Sequence, residues 1–218
     1  MISLMQFYLI VLAAFFAVFF AWRFASQQAA LPCPPWLAWL VELDNPLFVS
    51  NRASSVISGL DIKRGMYVLD AGCGPGRLTI PLALEVGSQG RVVAVDLQAE
   101  MLERARAKAE RQRLKNVDFL EVQLGANELD ISGFDRAVLV EVLGEIPNQE
   151  AALREVWRAL KPGGVLGISE VIADPHFQSR KHVTELARSV GFRELFSFGG
   201  RLAYTLYLER PNGHEAEE

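Results

Sequence analysis

The chain has 218 residues, with 22 Lys plus Arg against 26 Asp plus Glu, three His, and half its residues apolar. A net charge of −4 with no basic run argues against a nucleic-acid binder held by phosphate contacts. Two cysteines, Cys33 and Cys73, supply neither a disulfide framework nor a four-ligand metal site, so no metal is expected.

The apolar excess sits at the front. Of residues 1–24 only Ser3, Gln6 and Arg23 fall outside the apolar class, and the remaining chain is roughly 45% apolar, an ordinary globular value. Ile2 to Trp22 is an uncharged run that as a helix rises about 31 Å, the thickness of a bilayer's hydrocarbon core. A cleaved signal is disfavoured because no Lys or Arg precedes the run and the run is too long; an interfacial or partner-buried helix is the other rival. Residues 1–24 thus predict a single transmembrane helix with the bilayer as a partner. The nearby cations Arg23, Arg52, Lys63 and Arg64 all follow it, which predicts a membrane protein whose following domain faces the cytoplasm. Ala13, Ala17 and Ala21 recur every four residues and permit a homodimer through this helix. Residues 25–45 read as a juxtamembrane linker. In it Trp36, Leu37, Trp39, Leu40 and Leu43 suit either a short amphipathic helix on the membrane or a strip packed on the domain core.

From residue 46 the pattern becomes one of alternating elements. Asn45-Pro46 opens a helix-like stretch to Gly59. Met66 to Leu69 is a short apolar strand ending at Asp70, followed by a glycine-dense loop and a helix over 76–86. A strand over 91–95 ends at Asp96, and a charged helix over 98–113 follows. Further strands are predicted at 117–123, 134–140, 164–171, 192–198 and 202–209, and helices near 149–160 and 178–190. Strands separated by helices of this length imply parallel pairing, hence a doubly wound α/β sheet. The last two strands are separated only by Gly199-Gly200-Arg201 and should form an antiparallel hairpin. Residues 211–218 read as an acidic tail.

Open α/β sheets bind ligands outside the carboxyl ends of their strands. The residues there are Asp70-Ala71-Gly72-Cys73-Gly74-Pro75-Gly76. Glycines at 72, 74 and 76 allow a sharp turn and a close ligand approach. The G-x-G-x-G spacing differs from the dinucleotide fingerprint, and an acid precedes it, which suits a ligand carrying an ammonium group better than a pyrophosphate. Asp96, ending the second strand, is placed to accept hydrogen bonds from both ribose hydroxyls. Together the two acids indicate adenosine with a cationic amino-acid end.

The runs Val68 to Gly76, Val92 to Asp96, Phe134 to Val140 and Leu160-Lys161-Pro162-Gly163-Gly164 resemble the successive motifs of class I S-adenosylmethionine-dependent methyltransferases. The resemblance covers about residues 46–210. It implies a seven-stranded, mostly parallel sheet in the order 3-2-1-4-5-7-6 with strand 7 antiparallel, and S-adenosylmethionine as cofactor with S-adenosylhomocysteine as product. Carried over by position, Asp70, Gly72, Cys73, Gly74 and Gly76 surround the methionine end, Asp96 holds the ribose and Leu97 lies beside the adenine. Where many members have an acid for the adenine amino group, this chain has Gly125 and Ala126, with Asn127 next. Glu141, after strand four, falls near the sulfonium and the acceptor, with Glu145 one helical turn on.

Each of these residues has a plainer reading. Asp70 could cap a loop, Cys73 could be a small packed residue, and Glu141 and Glu145 could be solvated carboxylates. His176, in Asp174-Pro175-His176-Phe177, is either part of an acceptor pocket or structural. A general base is needed only if the acceptor arrives protonated, and Glu141, Glu145 and His176 are the candidates. The membrane helix favours a hydrophobic or membrane-resident acceptor, a lipid amine or quinone-type ring. The alternatives are a small soluble thiol, amine or xenobiotic acceptor, or a non-catalytic cofactor-binding membrane partner.

Overall fold

Alternate residues of the central strands are claimed by opposite faces of one sheet, as the period of two in an extended chain requires. In a computed structural model that describes residues 3–29, 33, 42 and 48–212, the strands are β1 Tyr67–Ala71, β2 Arg91–Asp96, β3 Val117–Glu121, β4 Phe134–Val140, β5 Leu160–Val171, β6 Arg193–Gly199 and β7 Ala203–Glu209. They form one seven-stranded sheet in the order β3-β2-β1-β4-β5-β7-β6. β7 runs antiparallel to both of its neighbours, while β1 to β5 pair in parallel. The expected order and hairpin are both present.

The helices are α1 Leu4–Ala29, α2 Ala53–Gly59, α3 Thr79–Val86, α4 Ala99–Arg111, α5 Gln149–Ala159 and α6 Arg180–Val190. One face of the sheet packs Ala137, Leu139, Leu166 and Ile168 against Leu153 and Val156 of α5 and Val183 and Ala187 of α6. The other packs Val68, Val92, Val138 and Tyr207 against Val56 of α2 and Leu82 and Val86 of α3. Burial on α5 falls at Ala152, Leu153, Val156 and Ala159, one helical stripe, and Asn148 caps its start by accepting from the Ala151 amide. α6 begins at Ser179, which accepts from the His182 amide, and ends at Gly191 in the left-handed region.

Three expectations are corrected. The helix anticipated from Pro46 begins only at Ala53, after a separate 3-10 turn at Val49–Asn51. Here tertiary bonds win: Thr205 Oγ1 donates to the Ser50 carbonyl and Asn51 Nδ2 to Ser169 Oγ, tying the turn to the sheet. The helix anticipated from Gly76 begins at Thr79, because the loop closes first through the Gly76 amide on the Cys73 carbonyl. The spanning helix is met only in part. Leu4–Ala29 is a 26-residue helix, yet among the described residues no helix is long and apolar enough to cross a membrane, the side chains at 15, 19 and 22–29 lying outside the described set. The amphipathic strip at Trp36 to Leu43 and the tail from 213 also lie outside the described residues.

One buried carboxylate joins the two halves of the sheet's upper rim. Glu155 of α5, fully buried, accepts the Gly125 amide at 2.9 Å and the Asn127 amide, holding the loop after β3. Glu155→Ala strands two amides and should lower unfolding free energy by about 2–4 kcal/mol, measured by denaturant titration, with Glu155→Gln costing less because one acceptor oxygen remains.

Candidate active site

The loop after β1 is hooked to the end of β2 by three hydrogen bonds. The amides of Gly72 and Cys73 both donate to the Val95 carbonyl, at 2.8 and 2.9 Å. Gly74 N–H donates to Asp96 Oδ2 at 2.8 Å, and Gln98 N–H donates to Asp96 Oδ1 at 2.9 Å. Gly74 has φ +51°, and a Cβ there would meet nothing within 4 Å. The glycine is thus required by backbone conformation and leaves open space beside Asp96, where a ligand fits.

Asp70 lies beneath this loop, buried, with Thr79 Oγ1 donating to its Oδ2 at 2.6 Å. Burial pushes its carboxyl up to about 6, against the opposing Thr79 bond and with added repulsion from Asp96. Burial also raises Asp96, against the bonds from the Gln98, Gly74 and Leu97 amides. Two desolvated, mutually repelling carboxylates beside an open space fit a ligand with cationic groups, which would favour their ionised forms. Leu97 follows at the mouth, half-exposed. The Cys73 side chain packs with Ala94 and Leu102, and burial holds the thiol well above its ordinary range. Gly125 and Ala126 bring no spare amide to an adenine, since Gly125 N–H is engaged by Glu155 and Ala126 N–H by the Gln123 carbonyl.

A second group of residues follows β4 and β5. Glu141 adopts φ +57°, a left-handed conformation uncommon for a side chain of this size and concentrated at functional sites. Its amide donates to the Ser169 carbonyl, and its Oε1 lies 3.5 Å from Arg77 Nη2, which reaches over from the glycine loop. Glu145 ends a 3-10 turn, Leu143–Glu145. His176 is buried, with Nδ1 3.8 Å from Glu145 Oε1 and 3.7 Å from Asp174 Oδ1. The close fit depends on Gly144, where a Cβ would stand 1.9 Å from the His176 carbonyl oxygen. Burial, then the Asp174 charge, raises Glu145 to about 8, against a hydrogen bond donated by the Cys33 amide. Glu170 is buried alongside, accepting the Gln178 amide at 3.0 Å, and burial keeps its carboxyl well above the usual range.

Cys33 links the N-terminal chain to both groups. Its amide bonds Glu145, and its carbonyl accepts from Gln98 Nε2 at 3.0 Å. Its thiol is pushed up to about 11 by burial and by the charges of Glu145, Asp174, Glu141 and Asp96. Farther along, Glu42 pairs with Lys108 at 2.9 Å, and Lys108 also donates to the Pro75 carbonyl in the glycine loop.

Asp70, Gly72, Gly74 and Asp96 therefore lie together at the ends of β1 and β2, and Glu141, Glu145 and His176 lie together beyond the neighbouring strand ends. The sequence reading missed Arg77, Gln98, Glu170 and Cys33. Arg77 and Gln98 directly follow recognised motif residues and could have been flagged on adjacency; Cys33 carries no local signal.

A sheet of this order, with a glycine loop after β1 and an acid at the end of β2, defines a nucleoside-binding transferase fold. A family model described as a methyltransferase domain matches residues 62–213. The chain is 36% identical over 100 residues to a demethylmenaquinone methyltransferase of Lactococcus lactis, covering 46% of this chain and 40% of that protein. It is 36% identical over 148 residues to an arsenite methyltransferase of Aquipseudomonas alcaligenes, covering 65% of this chain and 43% of the relative. The chain thus spans less than half the length of these curated relatives. Among solved structures, a SAM-dependent methyltransferase from Aquifex aeolicus superposes with a TM-score of 0.71 at 25% identity, over 81% of this chain and 98% of that one. The chain belongs to the class I S-adenosylmethionine-dependent methyltransferases, with S-adenosylmethionine as the cofactor of the fold.

Asp96→Ala removes the clamp on Gly74, and Gly74→Val fills the open space while forcing a branched residue to positive φ. Each should abolish S-adenosylmethionine binding in calorimetry, with far-UV circular dichroism retained.

Proposed function

We propose that this protein transfers a methyl group from S-adenosylmethionine to a membrane-resident acceptor carrying a proton to lose, a lipid amine first and a quinol-type ring second. The bound cofactor supplies an electrophilic methyl on a cationic sulfur. Asp70, Asp96 and the loop amides orient it; Glu141, held by Arg77, and the turn bearing Glu145 form the wall facing the acceptor. The donor is activated by its own charge, so the protein's task is alignment and exclusion of water. An ammonium or hydroxyl must also lose its proton, and Glu145 takes it, with His176 and Asp174 keeping the carboxyl in place. The acid-rich lining suits a protonated amine. The quinol reading is favoured by the likeness to demethylmenaquinone methyltransferases.

The observation that carries the membrane reading is the position of Cys33. It is four residues beyond the end of α1 at Ala29, and its backbone bonds Gln98 and Glu145. An extended chain covers at most about 3.6 Å per residue, so α1 ends within roughly 14 Å of this side of the site. α1 exposes Leu4, Leu9, Ile10, Leu12, Phe16 and Phe20 at about half or more of their surface. Its uncharged run with Arg23 behind it supports a single-pass anchor with the domain on the cytoplasmic side. The four-residue alanine repeat supports self-association there.

Full-length protein incubated with methyl-labelled cofactor and total membrane lipid should place label in a lipid species; label confined to water-soluble products would contradict the membrane-acceptor reading. The carboxyl of Glu145 rises from an ordinary 4.5 to about 8 on folding. Between those values the folded chain keeps a proton that the unfolded chain has released, so stability is lost as pH rises through that window. Glu145→Gln should match the parent's melting temperature near the lower value and exceed it above the upper one. Turnover of the parent should rise with pH and level off near 8, whereas the variant should lose most turnover at every pH while still binding cofactor.

A further inference from the structure

β6 is an edge strand, and edge strands are ordinarily blunted by charge. Here β6 exposes Leu195, Phe196 and Phe198 at 44%, 48% and 49%, beyond the charged Arg193 at its start. Phe196 stacks on Tyr207 with ring centroids 4.5 Å apart. The turn into β7 adds Leu202, 55% exposed, and Val49 of the 3-10 turn stands beside it, 51% exposed. Between them is an open cavity of about 410 Å³ lined by Phe48, Val49, Ser50, Phe198 and the turn 199–203. Its lining carries a single charge, that of the exposed Arg201. Contiguous apolar surface with one cation at its edge matches a bilayer's chemistry, acyl chains beneath a plane of phosphates.

The position agrees with that chemistry. The Ile172 amide donates to the Leu202 carbonyl at 2.7 Å, and Val171 pairs with Ala203, so the turn stands at the same end of the sheet as Glu170 and Asp174. That is also the end to which α1 is tethered through Cys33.

We propose that the β6–β7 tip is a second membrane-contact surface, seating Val49, Phe198 and Leu202 among acyl chains and Arg201 against lipid phosphates. It rests on the reading of α1 as a membrane anchor. Its effect is to fix the tilt of the domain, so that the acceptor side of the site faces the bilayer rather than swinging freely on the linker.

The test uses full-length protein in vesicles of phosphatidylcholine with a minority of phosphatidylglycerol, doped with a phosphatidylcholine bearing a diazirine at its acyl terminus. After irradiation, mass spectrometry should find lipid adducts both on residues 4–21 and on residues 195–203. Phe198→Glu with Leu202→Glu should lose the second set and keep the first, with cofactor binding unchanged as the check on folding. Adducts on α1 with none on the tip overturn the proposal and leave the anchor standing. Adducts on the tip alone support the surface and overturn the anchor, and adducts on neither overturn both. Adducts persisting on the tip of the double variant also overturn the assignment to these side chains.

Discussion

The strand ends of this protein depend on the carboxylate of Asp96. One of its oxygens takes the Gly74 amide and the other the Gln98 amide, while the Val95 carbonyl just before it takes two more loop amides. A glycine-rich loop without such anchors would sample many conformations, because glycine loses more entropy on ordering than any other residue. Bound to the rigid edge of β2, it becomes a preformed cradle. Gln98 extends the same chain of bonds outward to Cys33, so the segment arriving from α1 is fastened to the element that shapes the cofactor site.

Electrostatics give the site its direction. Asp70 and Asp96 lie at the ends of β1 and β2, and Glu141, Glu145, Glu170 and Asp174 follow or end β4 and β5; Arg77 reaches from the glycine loop to Glu141, and His176 stands between Glu145 and Asp174. Desolvation raises Asp70, Asp96, Glu145 and Glu170, meaning that charge is stored at a cost which a cationic ligand relieves. A site of this composition suits a positively charged donor, and on the proposed reading the raised Glu145 carboxyl receives the acceptor's proton. Cys33 contributes backbone groups, and burial with the neighbouring carboxylates pushes its thiol up to about 11.

Much of the fold was legible in the sequence because its signals are local. Val92 to Val95 and Phe134 to Val140 are strand-forming runs bounded by turn residues, and Gly199-Gly200-Arg201 identifies the antiparallel hairpin. The glycine loop and the two strand-end acids were likewise readable, since backbone conformation and charge at fixed positions demand those residue types. What escaped was set by distant partners. The short α2 and its separate 3-10 turn answer to Ser169 and Thr205, over a hundred positions along the chain. The conformation of the loop at Gly125 answers to Glu155, 30 residues away. The protonation of Glu145 answers to its burial and to Asp174 and Cys33, none of which a local pattern encodes.

The proposed anchoring makes a geometric demand on the reaction: the acceptor would have to be reached from the bilayer that takes up α1. Full-length protein reconstituted in phosphatidylcholine vesicles, whose quaternary headgroups accept no methyl group, can be given total membrane lipid either in the same vesicles or in separate ones, with labelled cofactor outside. Lipid should be labelled when it shares the enzyme's bilayer and left almost unlabelled when it is held apart. Equal labelling in the two arrangements would contradict a membrane-anchored enzyme working within its own bilayer.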